Sequence, residues 1–162
     1  MARLRTIQQP GKSLYKSSGS KHFGFSYYVS TEADVKGLIN ELWELFPDAT
    51  HVCYAFILSV GIEKSSDDGE PSGSAGKPIL NVLKSERVKN VLVAVVRYYG
   101  GTNLGIPGLI DAYKSAAKLA IENSGVHEIS MKKVLTFEVP YSSQPLFMNK
   151  LNRLNYSKNY IE

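Results

Sequence analysis

Hydrophobic residues recur at helical spacing in three stretches of the chain. Apolar positions three and four residues apart over residues 35–46 predict an amphipathic helix, and Thr31 with Asp34 forms a capping box at its start. The same spacing predicts helices that begin near Pro78 and Pro107, because proline suits the first helical turn. Each helix therefore has an apolar face that another element must cover.

Three further stretches have the composition of β-strands. Phe23–Ser30 is rich in aromatic residues, and Thr50–Val60 alternates between a larger and a smaller face, the smaller one suited to a closely packed helix. The run VLVAVVRYY, from Val91 to Tyr99, is almost continuously apolar, which is typical of a central strand buried on both faces. Residues Val126–Ser130 are interpreted as a connector.

Length and composition limit the class of protein. A chain of 162 residues with 43% hydrophobic residues predicts one domain, or one domain with a small second piece. The apolar runs are far shorter than the ~20 residues that cross a bilayer, and the first residues lack the apolar segment of a secretory signal. The single cysteine, Cys53, excludes an internal disulfide and a cysteine-based zinc site. These features favour a cytoplasmic protein.

The net charge of +4 is concentrated at the two ends of the sequence. The central body is acidic on balance, which weakens the case for a domain-wide polyanion surface. Residues 1–20 are predicted to form a flexible basic tail that could act as an electrostatic arm. The basic residues of this N-terminal region are Arg3, Arg5, Lys12, Lys16 and Lys21.

The last thirty or so residues predict little structure of their own. Val134–Val139 has the pattern of a strand, and Leu146–Leu154 has that of a short helix. One strand and one helix leave apolar surface uncovered. Residues 134–162 are therefore predicted to pack against another chain, as in a homo-oligomer, or to be poorly ordered.

Two glycine-rich loops carry the candidate chemistry. The first, Ser65–Gly76 (SSDDGEPSGSAG), holds three carboxylates and is called the acidic loop below; the second is Gly100–Gly108 (GGTNLGIPG). Both adjoin predicted core elements, so they are expected to form one site. The candidate binding residues are His51, Asp67, Asp68, Gly69, Glu70, Gly73, Gly76, Lys77, Arg97, Tyr98, Tyr99, Gly100, Gly101 and Gly105.

Arg97 is predicted to lie within salt-bridging reach of Asp67, Asp68 or Glu70, because a cation near the end of a buried strand needs a partner. His51 either faces the same site or is a satisfied histidine at a sheet end. Cys53 is interpreted as a small buried hydrophobic residue rather than a nucleophile.

The residues allow three kinds of site. Free N–H groups at helix N-termini could bind an anion, with Lys77 and Arg97 adding charge and Tyr98 or Tyr99 stacking on a base, although the nearby acids oppose phosphate. The acids could instead hold Mg²⁺ for a His51-assisted hydrolysis of a phosphate ester or nucleotide. In the third interpretation the acids simply cap backbone N–H groups, with Arg97 as counter-ion. No metal or cofactor is required by any motif, and catalysis is the less favoured choice.

The sequences SDDGEPSGSAGKPIL and NVLVAVVRYYGGTNLGIPGLIDAY, in this order, resemble the signature of the YigZ/IMPACT family. The resemblance covers roughly residues 18–125. It departs from the family pattern at Asp111, where arginine is frequent, and at Ile106-Pro107, which replaces a Thr-Gly pair.

The resemblance implies an α+β fold with a mixed or antiparallel sheet packed by helices. It is similar to domain IV of elongation factor G and to a domain of a ribosomal small-subunit protein. Residues 21–129 would form this domain, and residues 132–162 would begin a partial ferredoxin-like domain. The implied function is translation-linked binding or regulation, since eukaryotic members restrain a stress-response kinase of translation initiation by competing for its activator. Expected partners are RNA, the ribosome or a translation-associated protein; a purely protein-directed module is the alternative.

Overall fold

The computed structural model describes residues 3–131 and 135–154. The chain divides into two compact units, residues 1–131 and 132–162. No helix in the described residues has both the length and the apolar character needed to span a membrane.

The first unit combines α-helices with antiparallel β-strands, as in an α+β fold. Its elements are β1 (Arg3–Ile7), β2 (Gly11–Ser17), β3 (Ser20–Tyr28), α1 (Glu32–Leu45), β4 (His51–Ile57), β5 (Glu63–Ser66), α2 (Gly76–Ser85), β6 (Val91–Tyr98), α3 (Gly105–Ser124) and β7 (Val126–Ser130). Within residues 3–131, five strands form an antiparallel sheet in the order β2-β3-β6-β4-β5, and β1 pairs with β7 in a separate antiparallel ribbon. The α+β class with antiparallel sheets is thus confirmed.

Strand β6 lies at the centre of the sheet and is buried on both faces, as its apolar run predicts. Val91, Val93 and Val95 face α2 and α3, while Ala94 and Val96 face α1. The sheet is therefore covered by helices on both sides. The helix α1 begins with the predicted capping box, in which the Thr31 side chain accepts from the Asp34 N–H and the Asp34 side chain accepts from the Thr31 N–H.

Residues 3–20 form strands and turns instead of the predicted flexible tail. The described part of this segment forms β1 and β2 and the first residue of β3. Leu4 and Ile7 are buried, and β1 pairs with β7 over residues 126–130, which were interpreted as a connector. Strand β1 alternates between exposed and buried positions, with Arg3 and Arg5 on the exposed face. These two basic residues made the segment resemble a charged tail.

Three element boundaries also differ from the sequence prediction. Strand β4 ends at Ile57, three residues before the predicted end, and the chain then turns into β5, which was not predicted. Strand β5 contains Ser65 and Ser66, so the first two residues of the acidic loop are strand residues paired with β4. Helix α2 begins at Gly76, two residues before Pro78.

The described part of the second unit contains one α-helix, α4 (Gln144–Leu151), preceded by a single 3-10 turn. The helix confirms the prediction for this region with shifted ends. The predicted strand over residues 134–139 is wrong for residues 135–139, which form no regular structure, and Val134 lies outside the described residues. Phe137 and Phe147 have their ring centroids 5.3 Å apart, so this segment contacts α4 through an aromatic pair.

Candidate functional site

The register of the sheet places two candidate side chains, Arg97 and His51, in one row with His22 across adjacent strands. Arg97 on β6 lies opposite His22 on β3 and opposite His51 on β4. Arg97 Nη1 lies 2.5 Å from Glu70 Oε1, and both residues are buried, at 5% and 8% exposure. The predicted ion pair between Arg97 and the acidic loop is confirmed. Because both side chains are buried, either charge alone would carry a large desolvation penalty, and the pairing offsets it.

Glu70 is the centre of a buried hydrogen-bond network. The Tyr113 hydroxyl on α3 donates to Glu70 Oε1 at 2.7 Å, and His51 Nε2 lies 3.8 Å from Glu70 Oε2. Cys53 Sγ donates to the Tyr113 oxygen at 3.3 Å. Burial raises the pKa of both Cys53 and Tyr113 above their ordinary values. The cysteine is thus a protonated thiol, in agreement with its interpretation as a small buried residue.

The other two acids hold the backbone of the acidic loop. The Asp67 carboxylate accepts from the N–H groups of Gly73, Ala75 and Gly76 at 2.9, 3.1 and 2.8 Å. Asp68 Oδ2 accepts from the Val52 N–H at 2.7 Å. The N-cap residue of α2, Ala75, has no capping side chain of its own. Asp67 caps this helix from the loop, which explains why α2 can begin at Gly76.

Removal of the Asp67 carboxylate is expected to lower the free energy of unfolding by about 2–3 kcal/mol, because a helix cap and charge-assisted hydrogen bonds are lost together. The measurement is urea denaturation of Asp67→Ala. A matched control is Asp48→Ala, whose carboxylate accepts one exposed hydrogen bond from Tyr98 at 2.9 Å. A change in Asp67→Ala no larger than that in the control would contradict the capping role.

The same site has a defined pH dependence. Burial raises the pKa of Asp67, but its three N–H donors outweigh burial, and the net pKa lies below the ordinary 3.8. The stabilisation from Asp67 is therefore present above the unfolded-state pKa. It is lost as the pH falls through the folded-state pKa.

The second glycine loop is attached to the β2–β3 turn. The Gly100 N–H donates to the Ser20 hydroxyl at 3.1 Å, and the same hydroxyl lies 3.4 Å from Arg97 Nη2. A Cβ atom on Gly100 would collide with the backbone of Gly19, so only glycine allows this close approach. Ser20 thus connects the second loop to the buried arginine.

The structure separates the predicted residues into four groups, one of which is Tyr98 alone. The largest group lies together in or beneath the acidic loop and comprises His51, Asp67, Asp68, Gly69, Glu70, Gly73, Gly76 and Arg97. Gly100, Gly101 and Gly105 belong to the second loop, where Gly101 and Gly105 have φ angles of 89° and 70°, and Tyr99 directly precedes this loop. Lys77 is exposed in the first turn of α2.

Tyr98 lies on the opposite side of the sheet from the candidate site. Its ring packs against Phe23 and Phe46, and its hydroxyl donates to Asp48. Tyr99, in contrast, is 48% exposed, and Arg97 Cζ lies 5.7 Å from its ring centroid. Of the two tyrosines, the structure therefore supports only Tyr99 as a surface contact beside the loops.

Three residues of the network were not among the candidates: Ser20, His22 and Tyr113. Tyr113 is a large polar-tipped side chain within the alanine-rich buried face of α3. A tyrosine at such a position indicates that its hydroxyl group has a partner in the core. His22 is fully buried, and its ring contacts that of Tyr113 edge-on at 5.1 Å. Burial, assisted by the Arg97 charge, lowers the pKa of His22 from 6.5 to about 4.

The carboxylates of the acidic loop are engaged by the protein itself. Asp67 and Asp68 bind backbone N–H groups, and Glu70 binds Arg97 and Tyr113. Among the described residues, no group of three or more His, Cys, Asp or Glu side chains is arranged to hold a metal ion. The geometry therefore corresponds to the third interpretation of the sequence, in which the acids order the loop.

Residues 18–121 match the model of the Impact N-terminal domain family. The chain belongs to this family. It is 32% identical over 163 residues to the IMPACT family member YvyE of Bacillus subtilis, with 95% of this chain and 75% of the relative covered. It is 39% identical over 90 residues to the IMPACT family member YigZ of Escherichia coli, with 53% of this chain and 44% of the relative covered.

A solved structure of a protein described as hypothetical has the same fold. Its TM-score is 0.75 at 24% identity, and the superposition covers 98% of this chain and 82% of the other. The acidic loop and the second loop both lie within residues 18–121, which match the Impact N-terminal domain model.

Proposed function

We propose that this protein is a translation-linked regulatory binding module of the cytoplasm, acting through contact with RNA, the ribosome or a translation-associated protein. Its membership of the Impact family supports the proposal, since the family resemblance implies a role in translation. A likeness of the fold to domain IV of elongation factor G is part of the same proposal. The observation that favours binding over catalysis is the orientation of the acidic loop, in which Asp67 accepts from the Gly76 N–H and Glu70 accepts from Arg97.

A rigid loop pair is well suited to binding. The ion pair between Arg97 and Glu70 fixes the acidic loop, and Ser20 fixes the second loop to the same arginine. Tyr99 remains on the surface, with its hydroxyl donating to Asn103 Oδ1 at 3.3 Å. The loops thus present an aromatic ring from a pre-organised frame, which lowers the entropy cost of association.

The alternative of a metal-dependent phosphate-ester or nucleotide hydrolase has no geometric support. Its proposed ligands, Asp67, Asp68 and Glu70, would have to release the backbone N–H groups and Arg97 before they could bind Mg²⁺. The third choice, a purely protein-directed module, differs from RNA binding in its weak dependence on salt. Chelator-sensitive turnover would support the hydrolase.

Co-sedimentation with ribosomes from a lysate, over a range of salt concentrations, tests the proposal. We expect the wild-type protein to sediment with ribosomes at low salt, and Tyr99→Ala to weaken this association roughly tenfold through loss of a central aromatic contact. Tyr28→Ala is the matched control, because Tyr28 is 51% exposed and pairs with the first residue of β6, at the end remote from Tyr99. Fluorescence anisotropy with short RNAs then distinguishes RNA from protein contact. Absence of ribosome and RNA binding, together with no effect on cell-free translation, would overturn the proposal.

A further inference from the structure

A groove of about 470 Å³ lies between α2 and α3, beside the acidic loop. Its walls are formed by Lys77 and Asn81 of α2 and by Ile110 and Lys114 of α3, with Val82 at its base. The volume falls within the range of about 300–1,000 Å³ that is usual for ligand sites. The groove belongs entirely to residues of the first unit, and it is not part of the buried network.

The groove carries positive charge that the described residues leave uncompensated. Lys77 and Lys114 are exposed and form no ion pair within the described part of the chain, and no acidic side chain of that part lines the groove. Two other lysines of the domain are paired: Lys64 Nζ lies 2.7 Å from Glu32 Oε2, and Lys84 Nζ lies 2.6 Å from Glu63 Oε1 on β5. Two unpaired lysines on facing helices favour an occupant with negative charge.

The apolar part of the groove determines which class of anion fits. Ile110 is 38% exposed and the buried Val82 also lines the groove, so an apolar side chain can be covered between the two lysines. Single-stranded nucleic acids are bound by basic grooves that also present aromatic rings for stacking. Among the described residues that line this groove there is no aromatic side chain. The combination favours a peptide over RNA.

The acidic loop forms one end of this groove. Gly73 lines it, and the Gly73 N–H donates to Asp67 at 2.9 Å. Asp67 also caps α2, the helix that carries Lys77. The loop carboxylates therefore hold both the end and one wall of the groove in place, which connects the loop geometry to a surface that can bind a partner.

We propose that the groove between α2 and α3 binds a segment of a partner protein in which acidic residues flank an apolar one. The carboxylates of the segment contact Lys77 and Lys114, and its apolar side chain packs on Ile110 and Val82. The inference rests on the proposed function, of which it specifies the partner class: a translation-associated protein with an acidic, apolar segment.

The test uses the whole chain and short fluorescein-labelled peptides in which leucine is flanked by glutamates. We expect anisotropy to show binding, and nuclear magnetic resonance to show shifted amides at residues 77–85 and 110–114. The double variant Lys77→Glu/Lys114→Glu should bind roughly tenfold more weakly, and Ile110→Ser roughly threefold. Glutamate in the first turn of α2 is favourable to the helix dipole, so loss of folding is not expected and is checked by thermal denaturation.

Lys36→Glu is the matched control, because Lys36 is an exposed lysine on α1, on the other side of the sheet. Equal binding by the double variant and this control, shifts outside the groove, or no peptide binding would overturn the inference. Stronger binding of an oligouridine than of the peptide at the same lysines would overturn it in favour of RNA. A wild-type protein that sediments with ribosomes while the double variant does so equally would reject the groove and leave the proposed function intact.

Discussion

Replacement of Arg97 by alanine is expected to lower the free energy of unfolding by about 3–5 kcal/mol, the largest effect of any single substitution in the site. The reason is the burial of its partner: Glu70 is 8% exposed, and its Oε1 lies 2.5 Å from Arg97 Nη1. Within the described residues, loss of the guanidinium leaves a buried carboxylate with the Tyr113 hydroxyl at 2.7 Å and His51 Nε2 at 3.8 Å as its polar neighbours. Guanidinium chloride denaturation of the full chain measures the change.

Two comparisons identify the cause of that loss. In the double variant Arg97→Met/Glu70→Gln both charges are absent, and much of the stability should return, since a buried pair can often be replaced at little cost. Arg3→Ala removes an exposed pair instead: Arg3 Nη1 lies 3.4 Å from Glu128 Oε2, with side chains 74% and 52% exposed. That control should lose less than about 1 kcal/mol. A loss in Arg97→Ala as small as in the control would show that the ion pair does not support the fold.

The second large effect is acid destabilisation by His22. Burial and the Arg97 charge lower its pKa from 6.5 to about 4, partly offset by Glu70 and the Tyr15 backbone. Neither ring nitrogen of His22 makes a well-formed hydrogen bond within the described residues. The unfolded chain therefore binds a proton below pH 6.5 that the folded protein does not bind until about pH 4. Because the unfolded state binds more protons, the free energy of unfolding decreases as the pH falls from about 6.5 to about 4, by roughly 3 kcal/mol in total.

The variant His22→Leu isolates this contribution. The free energy of unfolding of this variant depends on how leucine packs against Tyr113. Its change with pH, however, contains no contribution from protonation at position 22. Denaturation at neutral pH and near pH 4 should show that the wild type loses roughly 3 kcal/mol more than the variant does. Carboxylates such as Asp67 titrate in both proteins and cancel in the difference. Parallel stability curves for the two proteins would show that His22 is not responsible.

Elements whose signals are local can be predicted from the amino-acid sequence alone. The apolar period over residues 35–46 with Thr31 and Asp34 predicts α1 and its cap, and both are formed. The uninterrupted apolar run predicts the central strand β6, and a charged residue at the end of that run predicts the pairing of Arg97 with the acidic loop. These predictions succeed because they depend on neighbours in the chain, or on the high cost of leaving a buried charge alone.

The tertiary structure decided the features that depend on partners distant in sequence. Strand β1 forms because β7 pairs with it, with Arg3 opposite Ser130, and the polar sequences of both strands conceal this pairing. The row of His22, Arg97 and His51 follows from the register of three strands, and Tyr113 reaches Glu70 only because α3 packs over them. Charge and polarity along a sequence indicate which groups need partners. Strand register and helix packing decide which partners they find, because these bring together residues separated by up to a hundred positions or more.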